Sequence, residues 1–300
     1  MKIIFWGTPE FSIPSIDKIY SSSHEVLAVV TSTDKEQGRG MKLQQSAVKT
    51  YALDRDIPVL QPDNFHSADF LTDLNSFGAD IFVIVAFKIL PESIFNFPPK
   101  GSFNLHGSLL PKYRGAAPIQ WALINGDKET GVTTFKLEAK VDTGNVYIKK
   151  SIPILLSDNF GTLHDKMSVL GSEAVIETLE IIEEDNFTLS SQDNTLATSA
   201  PKITKDFCKI NWTNSAESIY NLIRGLSPFP GAFFHHKDNL IKIYSAIPTN
   251  EHNLASGAIK QFGSQLFIGC GGGTLEILEL QREGKKKMSI NEFLRGYSFH

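Results

Sequence analysis

The sequence predicts an α/β fold: a Rossmann-like open, mostly parallel sheet with a second, smaller OB-like β-barrel domain. Its 300 residues exceed what one ordinary core needs, so we expect two domains. Over the first ~185 residues, apolar runs alternate with amphipathic stretches, which is typical of βαβ units around a parallel sheet. The stretch 187–205 is polar and rich in Ser, Thr and Asn, which predicts a linker between domains spanning 1–186 and 206–300.

The elements of the first domain follow from short apolar runs separated by polar or glycine-containing turns. Strands are predicted at Lys2–Trp6, Glu25–Thr31, Ile57–Leu60, Asp80–Phe87, Ser102–His106, Gly131–Leu137 and Asn145–Ile154. Helices are predicted from about Ser12 and at Ser46–Arg55, Ala116–Asn125 and Gly161–Glu184. The run Asp80–Phe87 is apolar almost throughout, so it is expected to be a central strand buried on both faces.

The second domain begins with a predicted helix at Ser215–Leu226 and ends with one near Ser289–Leu294. Several short strands with Gly or Asn turns lie between them, which favours a small barrel of the OB type. This domain is mildly basic, with ten Lys and Arg against eight Asp and Glu, although the whole chain has a net charge of −4. The local distribution permits contact with RNA, whereas the net charge provides no global attraction to it.

Composition excludes several classes of protein. No stretch approaches the ~20 apolar residues of a membrane-spanning helix, so we expect no membrane partner. The two cysteines, Cys208 and Cys270, form no Cys-x-x-Cys motif and have no His or Asp at metal-ligand spacing. We therefore expect two small buried hydrophobes, no metal and a cytoplasmic location.

The segment Gly101–Gly115 (GSFNLHGSLLPKYRG) carries the strongest indication of chemistry. Asn104 and His106 are two apart on a predicted strand, so their side chains project to the same side. Both lie at the carboxyl end of that strand, which is the edge where open parallel sheets bind ligands. A lone His is more often structural than catalytic, but its pairing with an Asn at a strand exit makes the two interpretations about equal. Asp142, in an Asp-Thr-Gly turn, is a third candidate, although such turns are common.

The run FNLHGSLLPKYRGAAPIQWALINGDKETGVTTF, which starts at Phe103, resembles the folate-dependent formyltransferases. The resemblance covers nearly the whole chain, including IIFWGTPEFS near the start, LIRGLSPFPGAF at 222–233 and LQREGKKKMSINEFLRG near the end. The Asn-x-His…Asp set is common to the superfamily. The GAAPIQ run and the C-terminal segments favour members that formylate methionine carried on initiator tRNA.

The resemblance implies that an amine attacks the formyl carbon on N10 of 10-formyltetrahydrofolate, with no covalent enzyme intermediate and no metal. Asn104 would donate to the resulting oxyanion, a type of contact whose loss costs about 10²–10³ in rate. His106 would stabilise that oxyanion or relay the proton of the amine. Asp142 would orient the imidazole, favour its charged form and hold a water that shuttles protons.

A pocket for the reduced folate is implied as well. The segment that contacts tetrahydrofolate in the family is matched by Ser108, Leu109, Leu110 and Pro111. The pterin is expected near the loop that enters Asp142 and against the backbone of Phe87, Lys88, Ile89 and Leu90. This chain departs from the family there, because Phe87-Lys88 stands where Tyr-Gly is usual.

For the tRNA, the resemblance points to the polar segment Thr31–Gln45, which matches an insertion that reaches the acceptor end of tRNA in the family. Its basic residues are Lys35, Arg39 and Lys42. A second basic cluster, formed by Lys285, Lys286 and Lys287, is by itself more often a solvated turn than a binding site. We expect a monomer whose partners are methionyl-initiator tRNA and reduced folate.

Three alternatives stay open at this level. A formyltransferase acting on a nucleotide-sugar amine or a purine precursor is the nearest, because the sugar enzymes share HGSLLPKYRG; GAAPIQ and the segment 38–49 favour tRNA instead. A non-catalytic RNA-binding module would use the second domain, but a triad on one strand edge argues against it. A hydrolase would use water in place of the amine and release formate.

Overall fold

The computed structural model describes residues 1–37, 42–185 and 187–299. The chain divides into two compact units that do not follow chain order. Unit 1 is Met1–Gly115, Gly131–Ile152 and His164–Ser199, and unit 2 is Ala116–Thr130, Pro153–Leu163 and Ala200–His300. The stretch 187–205 is therefore shared between the units, and its role as a linker between domains at 1–186 and 206–300 stays a prediction.

The strands before residue 201 are mostly short, and those of the main sheet are rich in β-branched and aromatic residues. In chain order they are β1 (Lys2–Gly7), β2 (Glu25–Val30), β3 (Lys35–Gln37), β4 (Lys42–Gln44), β5 (Val59–Leu60), β6 (Ile81–Val85), β7 (Ser102–His106), β8 (Arg114–Gly115), β9 (Glu129–Lys136), β10 (Val146–Pro153) and β11 (Ser199–Ala200). Seven of them form one sheet in the order β10-β9-β7-β6-β1-β2-β5.

That sheet is mostly parallel. β1 pairs in parallel with both β2 and β6, β2 with β5, and β6 with β7, whereas β7 and β9 are antiparallel. All five residues of β6 are buried, as expected of a central strand that is covered on both faces. The sheet confirms the predicted Rossmann-like architecture, and it places the carboxyl ends of β6 and β7 side by side.

The helices have the bounds α1 (Ile13–Tyr20), α2 (Ala47–Leu53), α3 (Ala68–Ser76), α4 (Glu92–Phe95), α5 (Pro118–Ile124), α6 (Phe160–Glu183), α7 (Ala216–Leu226) and α8 (Ile290–Leu294). Several begin at capping residues: the Ser46 and Ser215 hydroxyls accept from the third backbone N–H beyond them, and Ser289 forms a capping box with Glu292. Within the described ranges, no helix has both the length and the apolarity that crossing a bilayer requires.

Unit 2 contains an antiparallel sheet. Its strands are β12 (Ala232–His236), β13 (Asn239–Thr249), β14 (Ile259–Phe262), β15 (Gln265–Gly269), β16 (Thr274–Arg282) and β17 (Met288–Ser289). They follow the order β12-β13-β16-β15-β14, with β17 on β16. Both cysteines are buried, Cys208 and Cys270 lying in the core between this sheet and α7, as expected of small hydrophobes. The finer assignment to an OB-type barrel stays a prediction.

Two elements differ from the sequence analysis. α3 was not expected, because only Phe70 and Leu74 of its nine residues are buried and so its apolar stripe is short. The segment Thr31–Gln45, expected as a loop, contains the antiparallel pair β3 and β4. Backbone hydrogen bonds form this pair, and a polar sequence gives no period-2 alternation that would indicate it.

Close packing of α6 on β7 provides a test of the sheet. A Cβ added at Gly171 would lie 2.6 Å from Cδ2 of Leu105, the buried residue between Asn104 and His106. We expect Gly171→Ala to destabilise the protein by about 1–3 kcal/mol, because an extra methyl must displace a packed side chain. Gly296→Ala is the control, since its Cβ meets open space. Equal midpoints of urea unfolding for the two variants would contradict this packing.

Candidate active site

His106, the last residue of β7, is held in one orientation. Its side chain is nearly buried, and its Nε2 lies 2.8 Å from the carbonyl oxygen of Tyr113. A carbonyl oxygen can only accept a hydrogen bond, so Nε2 carries a proton and donates it. The other ring nitrogen, Nδ1, lies 3.9 Å from Oδ2 of Asp142. This separation is too long for a hydrogen bond, so His106 and Asp142 interact through their charges.

Asp142 is fixed by its surroundings on both its side chain and its backbone. Its Oδ2 accepts a hydrogen bond of 2.8 Å from the backbone N–H of Gly115. Its carbonyl oxygen accepts one of 3.0 Å from the side-chain amide of Gln192. Only 10% of the Asp142 side chain is exposed. The carboxylate therefore has a defined position next to Nδ1 of His106.

Asn104 lies two residues before His106 on β7 and therefore on the same face of the strand. Its side chain is partly exposed. Among the residues that the structure describes, no hydrogen-bond partner occupies its carboxamide. The amide is thus available to a ligand at this edge.

Left-handed backbone conformations gather at the same edge. Ala86 follows β6 with φ 50°, Tyr113 has φ 61° and Asp142 has φ 55°. A residue with a Cβ adopts this region at a cost of about 1–3 kcal/mol, and persists there only where its neighbours determine the conformation. Tyr113 and Asp142 each place an oxygen next to one ring nitrogen of His106. Strain of this kind is typical of functional sites, which makes the edge the leading candidate in unit 1.

The segment 108–111 is anchored beside His106 by Thr133. The hydroxyl of Thr133 donates to the carbonyl oxygen of Ser108 (2.7 Å) and accepts from the N–H of Leu110 (3.1 Å). Ser108 and Leu110 are buried, whereas Leu109 and Pro111 are partly exposed. Of the four residues in this segment that were expected to contact folate, only Leu109 and Pro111 have side chains that present surface to a ligand.

The segment 87–90, which follows Ala86, divides between core and surface. Phe87 packs edge-on against Trp6 with ring centroids 5.6 Å apart, and Leu90 is buried. Lys88 lies with Nζ 4.3 Å from the ring centroid of Phe65, and Ile89 is 75% exposed. A ligand at this edge would meet Lys88, Ile89 and the backbone.

Two family matches decide the class of this protein. Residues 1–179 match the family described as formyl transferase, and residues 202–298 match the formyl transferase C-terminal domain. The chain belongs to the formyltransferase family. The enzyme class predicted from the sequence is confirmed.

Relatives of this formyltransferase differ in the acceptor that they are named for. The methionyl-tRNA formyltransferase of Flavobacterium johnsoniae is 44% identical over 305 residues, covering 100% of this chain and 97% of its own. A solved N-formyltransferase from Helicobacter canadensis, in complex with folinic acid and dTDP-3-aminofucose, has a TM-score of 0.69 at 21% identity, covering 96% of this chain and 100% of its own. The methionyl-tRNA formyltransferase from Clostridium thermocellum has a TM-score of 0.57 at 17% identity, covering 84% and 95%. The two structures support the fold alone.

The basic residues of the formyltransferase that were expected to meet tRNA lie on both units. Lys35 is exposed at the start of β3, Arg39 is outside the described residues, and Lys42 begins β4 with a side chain that is likewise not described. Lys285 and Lys286 are exposed in the turn before β17, and Lys287 pairs with Glu279 at 2.9 Å. Within the cluster 285–287, Lys285 and Lys286 are therefore more available to bind RNA than Lys287, whose ammonium is paired with Glu279.

The base of the β3–β4 pair is tied to α2 by a polar network that the sequence did not indicate. Nζ of Lys49 lies 2.7 Å from Asp34, and Gln61 donates to both Asp34 (2.9 Å) and the carbonyl oxygen of Ser32 (2.7 Å). The hydrogen bond from Lys49 holds the pKa of Asp34 below its ordinary value. Since the pKa is lowered in the folded state, the stabilisation is present at neutral pH and is lost as the pH falls through that lowered pKa.

Sequence reasoning missed three residues that shape the site: Tyr113, Gly115 and Gln192. Tyr113 and Gly115 act through a carbonyl and an N–H, which every non-proline residue carries, so no side-chain pattern identifies them. Gln192 lies in the stretch that its composition marks as a linker. In the described part of the chain, no group of three or more His, Cys, Asp or Glu is arranged to hold a metal.

The anchor of segment 108–111 can be tested with an isosteric change. Thr133→Val removes the partner of two buried backbone groups, so we expect a loss of about 1–3 kcal/mol in the free energy of unfolding. Thr72→Val is the control, because the Thr72 hydroxyl donates to Ala68 on an exposed helix and its loss should cost less than about 0.5 kcal/mol. Losses of equal size in denaturant titrations would show that Thr133 does not anchor the segment.

Proposed function

We propose that this formyltransferase transfers the formyl group of 10-formyltetrahydrofolate to the free amino group of methionyl-initiator tRNA, for translation initiation. One observation carries the choice of acceptor: the chain matches a methionyl-tRNA formyltransferase over its full length at 44% identity. The geometry at the end of β7 supports the chemistry. Such an enzyme would act in the cytoplasm, and we propose that it works as a monomer.

The roles of the three side chains follow from their positions. The neutral amine of the methionyl group attacks the formyl carbon and forms a tetrahedral centre whose oxygen is negative. Asn104, with its unoccupied carboxamide, donates to that oxygen. The bond from the carbon to N10 of the folate then breaks, N10 takes a proton, and the carbon becomes an amide of methionine.

Proton transfer falls to Nδ1 of His106, because Nε2 already donates to Tyr113. Nδ1 accepts the proton that the amine loses during attack and returns it towards N10 as that bond breaks. The ring is cationic between these two events. The Asp142 carboxylate, 3.9 Å away, stabilises the cation through its charge. No bond from the protein to the formyl group is needed.

The reduced folate would lie along the carboxyl edge of β6 and β7. Ile89, which follows β6, and Leu109 and Pro111, which follow β7, supply exposed or partly exposed apolar surface there. Left-handed Ala86 turns the chain after β6, so the backbone of 87–90 reaches the same edge. This chain has Lys88 where the family usually has a glycine, and Lys88 is exposed. We expect the ammonium group of Lys88 to bind a carboxylate of the folate and not its pterin ring.

A second candidate acceptor is a nucleotide-sugar amine, because the solved Helicobacter canadensis enzyme, which binds dTDP-3-aminofucose, shares the fold. The two candidates use the same chemistry at the amine. The two acceptors differ in the molecule that carries the amine, which is a tRNA in one case and a nucleotide sugar in the other. Parallel formylation assays with charged initiator tRNA and an amino-sugar nucleotide therefore distinguish them.

We expect the wild-type enzyme to formylate methionyl-initiator tRNA, and His106→Ala and Asn104→Ala to lower kcat by about 10²-fold or more. The measurement is formylation of charged tRNA from 10-formyltetrahydrofolate, with an amino-sugar nucleotide as the competing acceptor. His66→Ala is the matched control, because His66 is exposed and belongs to none of the segments 87–90, 104–106 and 108–111.

Two outcomes would overturn this account of the reaction. Efficient formylation of the amino sugar with none on tRNA would refute the acceptor. Near wild-type turnover in His106→Ala, with tRNA as acceptor, would refute the mechanism and leave the acceptor standing.

The contribution of unit 2 to tRNA binding can be measured through salt. Lys286→Ala should reduce the slope of log affinity for tRNA against log salt by up to about one unit, because one phosphate contact releases about one counterion. The control is Lys18→Ala, which removes an exposed lysine from α1. Identical slopes for wild type, Lys286→Ala and Lys18→Ala would show that Lys286 does not contact phosphate.

A further inference from the structure

The segment 190–198, here called the strap, lies along the candidate active site in unit 1. At its start, Ser190 and Val146 exchange both of their backbone hydrogen bonds, at 2.8 and 3.0 Å. At its end, the carbonyl oxygen of Thr198 accepts from the N–H of Arg114 at 2.9 Å. Hydrogen bonds thus fix both ends of a stretch whose composition is that of a linker.

Gln192 connects the strap to the turn that carries Asp142. Its Nε2 donates to the carbonyl oxygens of Asp142 (3.0 Å) and Gly144 (2.8 Å). Its Oε1 accepts from Nε (3.2 Å) and Nη2 (2.8 Å) of Arg114. Both amide hydrogens and the amide oxygen are therefore used, and the oxygen's partner is a cation, which strengthens the contact.

The strap also holds the other partner of His106. The hydroxyl of Thr198 accepts from the N–H of Tyr113 at 2.9 Å. The Tyr113 carbonyl in turn accepts from His106. Asn194 adds a contact of 2.8 Å to Nη2 of Arg114, next to Tyr113.

The two residues that face His106 are thus held by one segment, and both have left-handed backbones. Such conformations relax unless neighbouring groups determine them. In the Asp142 turn, the Gln192 side chain bridges the carbonyl oxygen of Asp142 to that of Gly144, so loss of Gln192 would let the backbone of Asp142 relax. A shift of about 1 Å in Asp142 would separate its carboxylate from Nδ1, and misplacements of that size cost up to about 10²-fold in rate.

We propose that Gln192 is a positioning residue for formyl transfer: it holds the Asp142 turn and the Arg114 side chain in the arrangement that sets Asp142 against His106. The readout rests on the proposed function, whereas the hydrogen bonds of Gln192 are the same whichever amine accepts the formyl group. In the described part of the chain, the side-chain hydrogen bonds of Gln192 go to Arg114, Asp142 and Gly144 and none goes to segments 87–90 or 108–111. We therefore expect its loss to lower kcat far more than it changes folate binding.

The test uses the full-length enzyme and two substitutions. Gln192→Ala removes all four hydrogen bonds. Gln192→Glu keeps an acceptor for Arg114 but replaces the donors with a carboxylate that faces two carbonyl oxygens. We expect each to lower kcat by about 10- to 100-fold, with the KM for folate and for acceptor within about twofold of wild type. Gln265→Ala, which removes one exposed hydrogen bond to Glu276 on unit 2, should match wild type.

A double-mutant comparison separates positioning from general damage. In an Asp142→Asn background, adding Gln192→Ala should lower kcat by less than about threefold, because the group that Gln192 positions is already lost. Losses that multiply would overturn the proposal, as would wild-type kcat in both Gln192 variants. A wild-type enzyme that formylates only an amino sugar would refute the tRNA acceptor, and the same comparison on that sugar would still decide the role of Gln192.

Discussion

The hydrogen bond from Nε2 of His106 to the carbonyl oxygen of Tyr113 is the constraint on which the rest of the site depends. Because a carbonyl has no proton to give, this bond determines which ring nitrogen is protonated. Nδ1 is therefore the unprotonated nitrogen of the neutral ring, and it lies 3.9 Å from Oδ2 of Asp142. Asn104 is placed relative to it by strand geometry alone, since residues two apart on β7 share a face. If Nδ1 of His106 carried the proton instead, the same side chains would be in place but Nδ1 could not accept a proton from the amine.

Polar contacts with the backbone hold the side chains and turns at this edge in place. Thr133 anchors segment 108–111, the Gly115 N–H fixes the Asp142 carboxylate, and the strap determines two left-handed residues. The sheet beneath supplies the apolar support, because β6 is wholly buried and β7 packs against α6 at Gly171. Together these two layers hold the groups that would meet a developing negative charge in the proposed reaction, which is the condition for electrostatic stabilisation without reorganisation.

The sequence predicted the parts of the site that side chains determine. The bounds of β7 were correct, and alternation placed Asn104 and His106 on one face. Asp142 was joined to them through a family resemblance, because an Asp-Thr-Gly turn has no distinctive periodicity. Tyr113 could not be foreseen, since it contributes a carbonyl. Gln192 could not be identified from composition. A polar segment that binds the rest of the domain through hydrogen bonds has the same composition as a solvated linker. The roles of all these residues stay predictions until they are measured.

The tautomeric state of His106 tests the account most directly. It can be read from nitrogen–proton correlation spectra of protein with ¹⁵N-labelled histidine, with the signals assigned by comparison with His106→Gln. The account predicts a protonated Nε2 and an Nδ1 with the chemical shift of a bare ring nitrogen. A proton on Nδ1 with a bare Nε2 would contradict it, because the ring could then neither donate to Tyr113 nor accept a proton from the attacking amine on the side of Asp142.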